Sequence, residues 1–369
     1  MKRNKTIIVL LLITTFLVGC NKNPSESEDI SSTSLSDVSS EVVSDDTTES
    51  ELSTELSSEE VSSEGISSSE VSSVEISSET PSSEAPSSES VPVSSEVAGN
   101  FPATPVGIEV PAAVFTYYTS VNFNTTGNTL KGELYNKIKG HTSTSYSGLN
   151  TTMRTTDRDW NLSPDPNDTN PYMVLIYASY NFNTASAQRY NTRNTVWDKE
   201  HIWAKSHGGF SDSPPAGSDM HHLRASDKNN NNRRGTYDFG YVTGSVTNIK
   251  DYKNNNSGKL GSSSKGGTVY EPLDHYKGDV ARAMFYMATR YSSFETGFSA
   301  PHRNLALVDY ITSTSSGNGK FGLISDLLRW HAEDPVDEFE FNRNGLVQDY
   351  QKNRNPYIDF PELAAKVFG

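Results

Sequence analysis

The sequence predicts an α+β domain: a strand, loop, strand and helix unit set in a single, mainly helical domain that follows a disordered stalk. Three observations predict it. Composition changes abruptly near residue 100, from Ser-Ser-Glu repeats to a chain with regularly placed aromatic residues. Two short apolar stretches, 196–203 and 220–225, flank a Gly-, Ser- and Pro-rich segment, and Ser226 or Asp227 can cap a helix directly after them. Apolar residues then recur at helical spacing through much of the last hundred residues.

Residues 1–19 read as an export signal. Lys2, Arg3 and Lys5 precede a mostly apolar run, Ile7 to Val18, that is short for a membrane span. Leu17-Val18-Gly19 leads into Cys20, the single cysteine of the chain. This resembles a bacterial lipoprotein signal, which implies cleavage before Cys20 and lipidation of its thiol. The protein is then expected at the cell surface, held to the membrane through that lipid alone, with no disulfide.

Residues 20–100 form the stalk. Its Ser/Glu repeats carry too little apolar surface to offset chain entropy, and their like charges extend it. The charge distribution removes an objection. The whole chain has a net charge of −15, which on its face disfavours a nucleic-acid partner. The acidity belongs to the stalk, because residues 101–369 carry equal numbers of basic and acidic residues. Phosphate affinity in that domain must come from local cations and a metal.

Within 101–369, Leu130, Leu134 and Ile138 place a helix over 128–141, and the run 172–180 reads as a buried strand. Segments 206–218 and 250–268 read as loops. Helices are expected at 279–291, 323–331 and 337–352, with Asn355-Pro356 stopping the last. Trp197 and Trp203 are assigned to the core, Arg354 and Asp359 to a buried pair or cap, and His207 to a loop without a specific role.

Chemistry concentrates at Glu200-His201 and at Asn229–Arg234. A hard divalent cation prefers oxygen donors, which Glu200 and an asparagine amide supply. An imidazole is suited to abstracting a proton near neutral pH. Arg224, Arg233 and Arg234 are candidates to clamp phosphate. On a regular strand Glu200 and His201 face opposite ways, so a site using both needs a strand end or a distortion. Adjacent His221 and His222 also diverge. A zinc hydrolase built from His201, His207, His221 and His222 lacks the usual ligand spacing.

Four ordered blocks, EHIWAKSHG at 200–208, DMHHLRASD with Asn231-x-x-Arg234-Gly235, EPLDHYKGDVARAMFYMATRY at 271–291 and NRNPYIDFPELA at 353–364, resemble the endonuclease I family of secreted and periplasmic bacterial nucleases. The resemblance implies a ββα-metal finger core, His201 as general base, and Glu200 and Asn231 as metal ligands, with Asn230 and Asn232 open as alternatives in the asparagine run. It implies Mg²⁺, with Mn²⁺ or Ca²⁺ also accommodated, and DNA or RNA as substrate with little sequence specificity. Arg234 either steadies the shell or binds phosphate, and a monomer is expected. Ala204 and Ala225 stand where many relatives have proline, and Thr236 where they have asparagine. A non-catalytic adhesin or nucleic-acid-binding module on an acidic stalk is the alternative reading.

Overall fold

In the computed structural model, residues 101–179, 189–299, 302–312 and 317–369 are described. The signal, Cys20 and the stalk lie outside them. The elements in chain order are α1 (Ala112–Tyr117), α2 (Gly127–Ile138), α3 (Leu149–Thr156), β1 (Trp197–His201), α4 (Lys205–Gly208), β2 (Leu223–Asp227), α5 (Lys228–Arg234), β3 (Asp238–Phe239), β4 (Gly244–Lys250), β5 (Asn256–Ser262), β6 (Thr268–Pro272), α6 (Lys277–Arg290), β7 (Ala306–Val308), β8 (Lys320–Gly322), α7 (Ile324–Glu333), α8 (Glu338–Gln351), α9 (Pro356–Asp359) and α10 (Leu363–Phe368). Among the described residues no helix is long and apolar enough to cross a membrane.

The axis of the fold is α6. Every one of its residues is buried, so it is wrapped on all sides and not merely on its Met and aromatic stripe. Gly278 permits this at its start: a Cβ there would lie 2.0 Å from the Asp334 carbonyl at the end of α7. Around α6 the aromatic side chains Trp203, Phe239, Tyr270, Phe285, Trp330 and Tyr357 share one core. Each large side chain removed from water contributes about 1.5–3 kcal/mol. A second cluster, Leu149, Met153, Met173, Leu175, Trp197, Leu223 and Val347, packs α3 and α8 against the β1–β2 pair.

β1 and β2 pair antiparallel, with Glu200 opposite Arg224 and His201 opposite Leu223. Asp227 ends β2 and caps α5 by accepting the Asn230 N–H at 2.9 Å. This is the strand, loop, strand and helix unit that the sequence predicts. A separate four-stranded sheet has the order β3-β6-β5-β4. Asp337 caps α8, and Asn355, with Pro356 at the first turn, caps α9. Arg354 and Asp359 are a buried pair, with the Tyr118 hydroxyl also donating to Asp359.

Three expectations need correction. Of the run 172–180, Tyr180 lies outside the described residues, and the rest makes isolated bridges only, at Tyr172, Met173 and Ile176. Tyr177 breaks any ladder with φ 73. The polar segment 250–268 is not a loop: β5 runs through it and pairs with β4 and β6. Segment 206–218 includes most of α4 and a 3₁₀ turn at Ala216–Ser218.

Candidate active site

The candidate site lies at the C-terminal end of β1, where the chain leaves the ladder at Ile202. Glu200 and His201 diverge there, as neighbours on a strand must. Each is nearly sealed, at 3% and 7% exposure. They differ in what surrounds them.

His201 lies beside Tyr146, ring parallel to ring at 5.7 Å, with His222 and Phe210 completing its apolar surroundings. Its Nε2 is 2.9 Å from the Gly217 carbonyl oxygen. A carbonyl can only accept, so the neutral ring carries its hydrogen on Nε2 and keeps a lone pair on Nδ1. Burial, with the neighbouring His222, pushes the imidazole well below its usual range. The ring is therefore neutral and pre-set in one tautomer. Gly217 is required at that spot, because a Cβ would sit 1.8 Å from the Ser211 carbonyl oxygen. Asp212 stands 4.0 Å from Nε2 and pairs with Lys205 at 2.6 Å.

Glu200 receives the Tyr177 hydroxyl at 3.2 Å and lies 3.5 Å from the Arg234 guanidinium. Burial outweighs these and the hydrogen bond from the His201 N–H, and pushes the carboxyl up to about 7. It is thus a buried acid with too little positive charge around it, which is a fit for a cation.

Arg234 is 1% exposed. It donates to the carbonyls of His201, Ile202 and Gly235 and lies over the Phe239 ring. It ties α5 to the end of β1 and presents no open face to a phosphate. Arg224 is likewise committed: it bonds Asp157 and Asp279 beneath the site at 3.2 and 3.0 Å, so a phosphate clamp there is corrected to a buried ion-pair role. Arg233 is exposed on the far side of α5.

The asparagines of α5 separate by environment. Asn230 is fully buried, donating to the Tyr177 carbonyl and to Ser257 and accepting from the Tyr270 hydroxyl. All of its amide capacity is used inside the fold. Asn232 is exposed. Asn231 is half-buried and donates through Nδ2 to the Lys199 carbonyl, one residue before Glu200, at 3.4 Å. Among the described residues its Oδ1 accepts no hydrogen bond. One carboxylate and one amide oxygen are the donor chemistry of a hard divalent cation that retains waters.

His207, His221 and His222 are each held by their own partner. His222 bonds the Ala216 carbonyl and His221 faces the Asn353 carbonyl. His207, expected in a loop without a role, is instead completely buried in α4, bonded to the Thr236 carbonyl and to Thr312 and stacked on Phe321. A cavity of about 630 Å³ lined by Trp160, Asp159, Asp279 and Asp337 shares no residue with the site, and its acidic lining does not suit phosphate.

Tyr146, Tyr177 and the Gly217 carbonyl are site components that motif reading misses. Tyr177 sits in a run that reads as strand, and only its left-handed backbone turn brings the hydroxyl to Glu200. Gly217 acts through its main chain, which leaves no side-chain signal.

The family model described as Endonuclease I matches residues 126–362. An extracellular ribonuclease of Bacillus amyloliquefaciens is 36% identical over 275 residues, covering 73% of this chain and 83% of the relative. An extracellular ribonuclease of Bacillus subtilis (strain 168) is 36% identical over 270 residues, covering 71% and 83%. With a histidine base candidate and an under-compensated acid side by side at the end of β1, and a match across most of the folded domain, the chain belongs to the endonuclease I family of nucleases.

Proposed function

We propose that the domain is a divalent-metal-dependent endonuclease that hydrolyses phosphodiester bonds of extracellular nucleic acid, single-stranded RNA before DNA. The observation that carries the reading is the neutral, tautomer-set His201 beside a buried carboxylate lacking a full counter-charge. The preference for RNA rests on the Bacillus relatives, which are extracellular ribonucleases. Their location also supports secretion, and the sequence around Cys20 supports a lipid tether that holds the domain outside the membrane.

The chemistry follows from the residues. His201 Nδ1 takes a proton from a water molecule, while Nε2–H stays bonded to Gly217 and prevents ring rotation. Tyr146 and Phe210 keep the ring dry and neutral. Glu200 and Asn231 would hold Mg²⁺, with Mn²⁺ or Ca²⁺ as alternatives, and a bound cation supplies charge stabilisation for the phosphate and the departing 3′ oxygen. Arg234 keeps the Glu200–Ile202 backbone in place. Water as nucleophile makes no demand on a 2′-hydroxyl, so DNA remains a substrate in chemical principle.

The test is cleavage of single-stranded RNA and of supercoiled plasmid by the purified protein, with Mg²⁺ and with EDTA, beside His201→Ala. Metal-dependent cleavage that disappears in a folded His201→Ala and leaves 5′-phosphate ends is expected. Products bearing 2′,3′-cyclic phosphate would sink the water mechanism. Failure to cut with any divalent ion would favour a binding module on the stalk.

A further inference from the structure

The outer side of α5 faces a groove that the catalytic reading does not use. Asn229, Asn232 and Arg233 are exposed there at positions that share one side of the helix. Across from them runs β4, the edge strand of its sheet. Asn229, Asn232, Arg233, Asn248, Ile249 and Lys250 line a groove of about 500 Å³, open to solvent.

Five features make it a built site. It holds two cations and no carboxylate, in a domain whose charges otherwise balance. Among the described residues neither the Arg233 nor the Lys250 side chain makes a hydrogen bond or ion pair, whereas Arg224 and Arg234 are spent on internal partners. Ile249 is 1% exposed and anchors β4 in the core, and a register shift between Ile249 and Lys250 re-aims the strand beside the groove. An edge strand also offers main-chain N–H and C=O groups that its sheet does not use. The three asparagine amides each carry a donor and an acceptor, the pair needed to read a base edge.

Position links the groove to the chemistry. Asn231, on the same helix, contacts β1 beside Glu200, while Asn232 and Arg233 turn outward. We propose that this groove binds nucleotides of single-stranded RNA that lie beyond those at the cleaved bond, on the other side of α5. Arg233 and Lys250 pair with backbone phosphate, and Asn229, Asn232 and Asn248 hydrogen-bond to base edges. Single strands are favoured because only unpaired bases can turn their edges into the groove. The inference rests on the nuclease reading and names where its substrate extends.

The test uses the full chain carrying His201→Ala, so that substrate survives. Binding of a fluorescent single-stranded RNA 12-mer in Mg²⁺ is followed by anisotropy across a salt series. Adding Arg233→Gln and Lys250→Gln should weaken binding about tenfold and reduce the slope of log affinity against log salt by about 1.4, from about 0.7 per phosphate contact. The charge-preserving pair Arg233→Lys and Lys250→Arg should keep the slope. An unchanged slope in the Gln pair would overturn the phosphate contacts. In the active protein, Asn229→Ala with Asn232→Ala and Asn248→Ala should flatten the base bias at cleavage sites, and an identical cleavage map would overturn base reading. The two ideas fail separately. If the wild type cuts RNA and the slope does not move, the groove is wrong. If the wild type never cuts RNA but the Gln pair lowers the slope, the groove stands and the chemistry is wrong.

Discussion

Two buried carboxylates, one at the end of β1 and one between α6 and α8, have opposite surroundings. Asp219 is fully buried and accepts from the Tyr286 and Tyr291 hydroxyls at 2.8 Å, the Gln351 amide at 2.9 Å and the His221 N–H at 2.9 Å. The nearby His141, His221 and His222 rings, with the His221 N–H, hold it well below the usual carboxylate range, despite its burial. Glu200, buried to a similar degree, has a guanidinium at 3.5 Å, one hydroxyl and the His201 N–H, and burial wins. A saturated buried acid fastens helices together. An under-saturated one has unused capacity for a cation. Burial alone therefore does not separate structure from function; the count of donors around the charge does.

Substitutions can break this contrast, from the largest effect to the smallest. His201→Ala should reduce turnover by roughly 10²–10⁴-fold with the thermal unfolding temperature unchanged; residual activity near wild type would move the base elsewhere. Asp219→Asn should leave activity per folded molecule nearly intact but cost about 3–5 kcal/mol of stability, read from urea unfolding, because one oxygen that takes several donors is replaced by an amide. A neutral effect there would remove the structural half of the comparison.

Gly217→Ala, which must displace the Ser211–Asp212 backbone, should lower kcat by about 10–100-fold with circular dichroism unchanged. Wild-type kcat would show that the Gly217 carbonyl does not set the His201 ring. Glu200→Gln in EDTA should be neutral or stabilising by about 1–3 kcal/mol, since a poorly compensated buried charge disappears, while metal affinity measured by calorimetry falls. A large loss of stability would place Glu200 in the same class as Asp219.

Acid should act on the buried histidines that lie next to Asp219. Burial pushes His221 and His222 down to about 4 from an ordinary value of 6.5. The unfolded chain then binds protons that the folded chain refuses. The stability is fully present above about pH 6.5 and is lost as pH falls toward 4, at most about 3 kcal/mol for each ring. The urea midpoint should therefore drop between pH 7 and pH 5. A flat profile would mean that the two rings are solvated or paired in the folded state.

The helices at the C-terminal end were legible because their apolar residues keep helical spacing and because Asp337 and Asn355 are ordinary caps. The β4–β5 pair was not. Its sequence, GSVTNIK and NSGKLGS, has little apolar alternation, and its strands form by pairing onto β6. His207 looked idle because its partners, Thr236, Thr312 and Lys320, are distant in sequence.

By itself the sequence determined which groups can do the chemistry: an imidazole next to a carboxylate, and an asparagine run with Ser226 or Asp227 available to cap it. Side-chain type and local spacing are enough for such statements. Tertiary structure alone decided the protonated nitrogen of His201, the incomplete shell of Glu200, the burial of Asn230 beside half-buried Asn231, and the enclosure of Arg224 and Arg234. Each of these depends on which carbonyl or charge arrives from elsewhere in the chain, and no local pattern encodes that arrival.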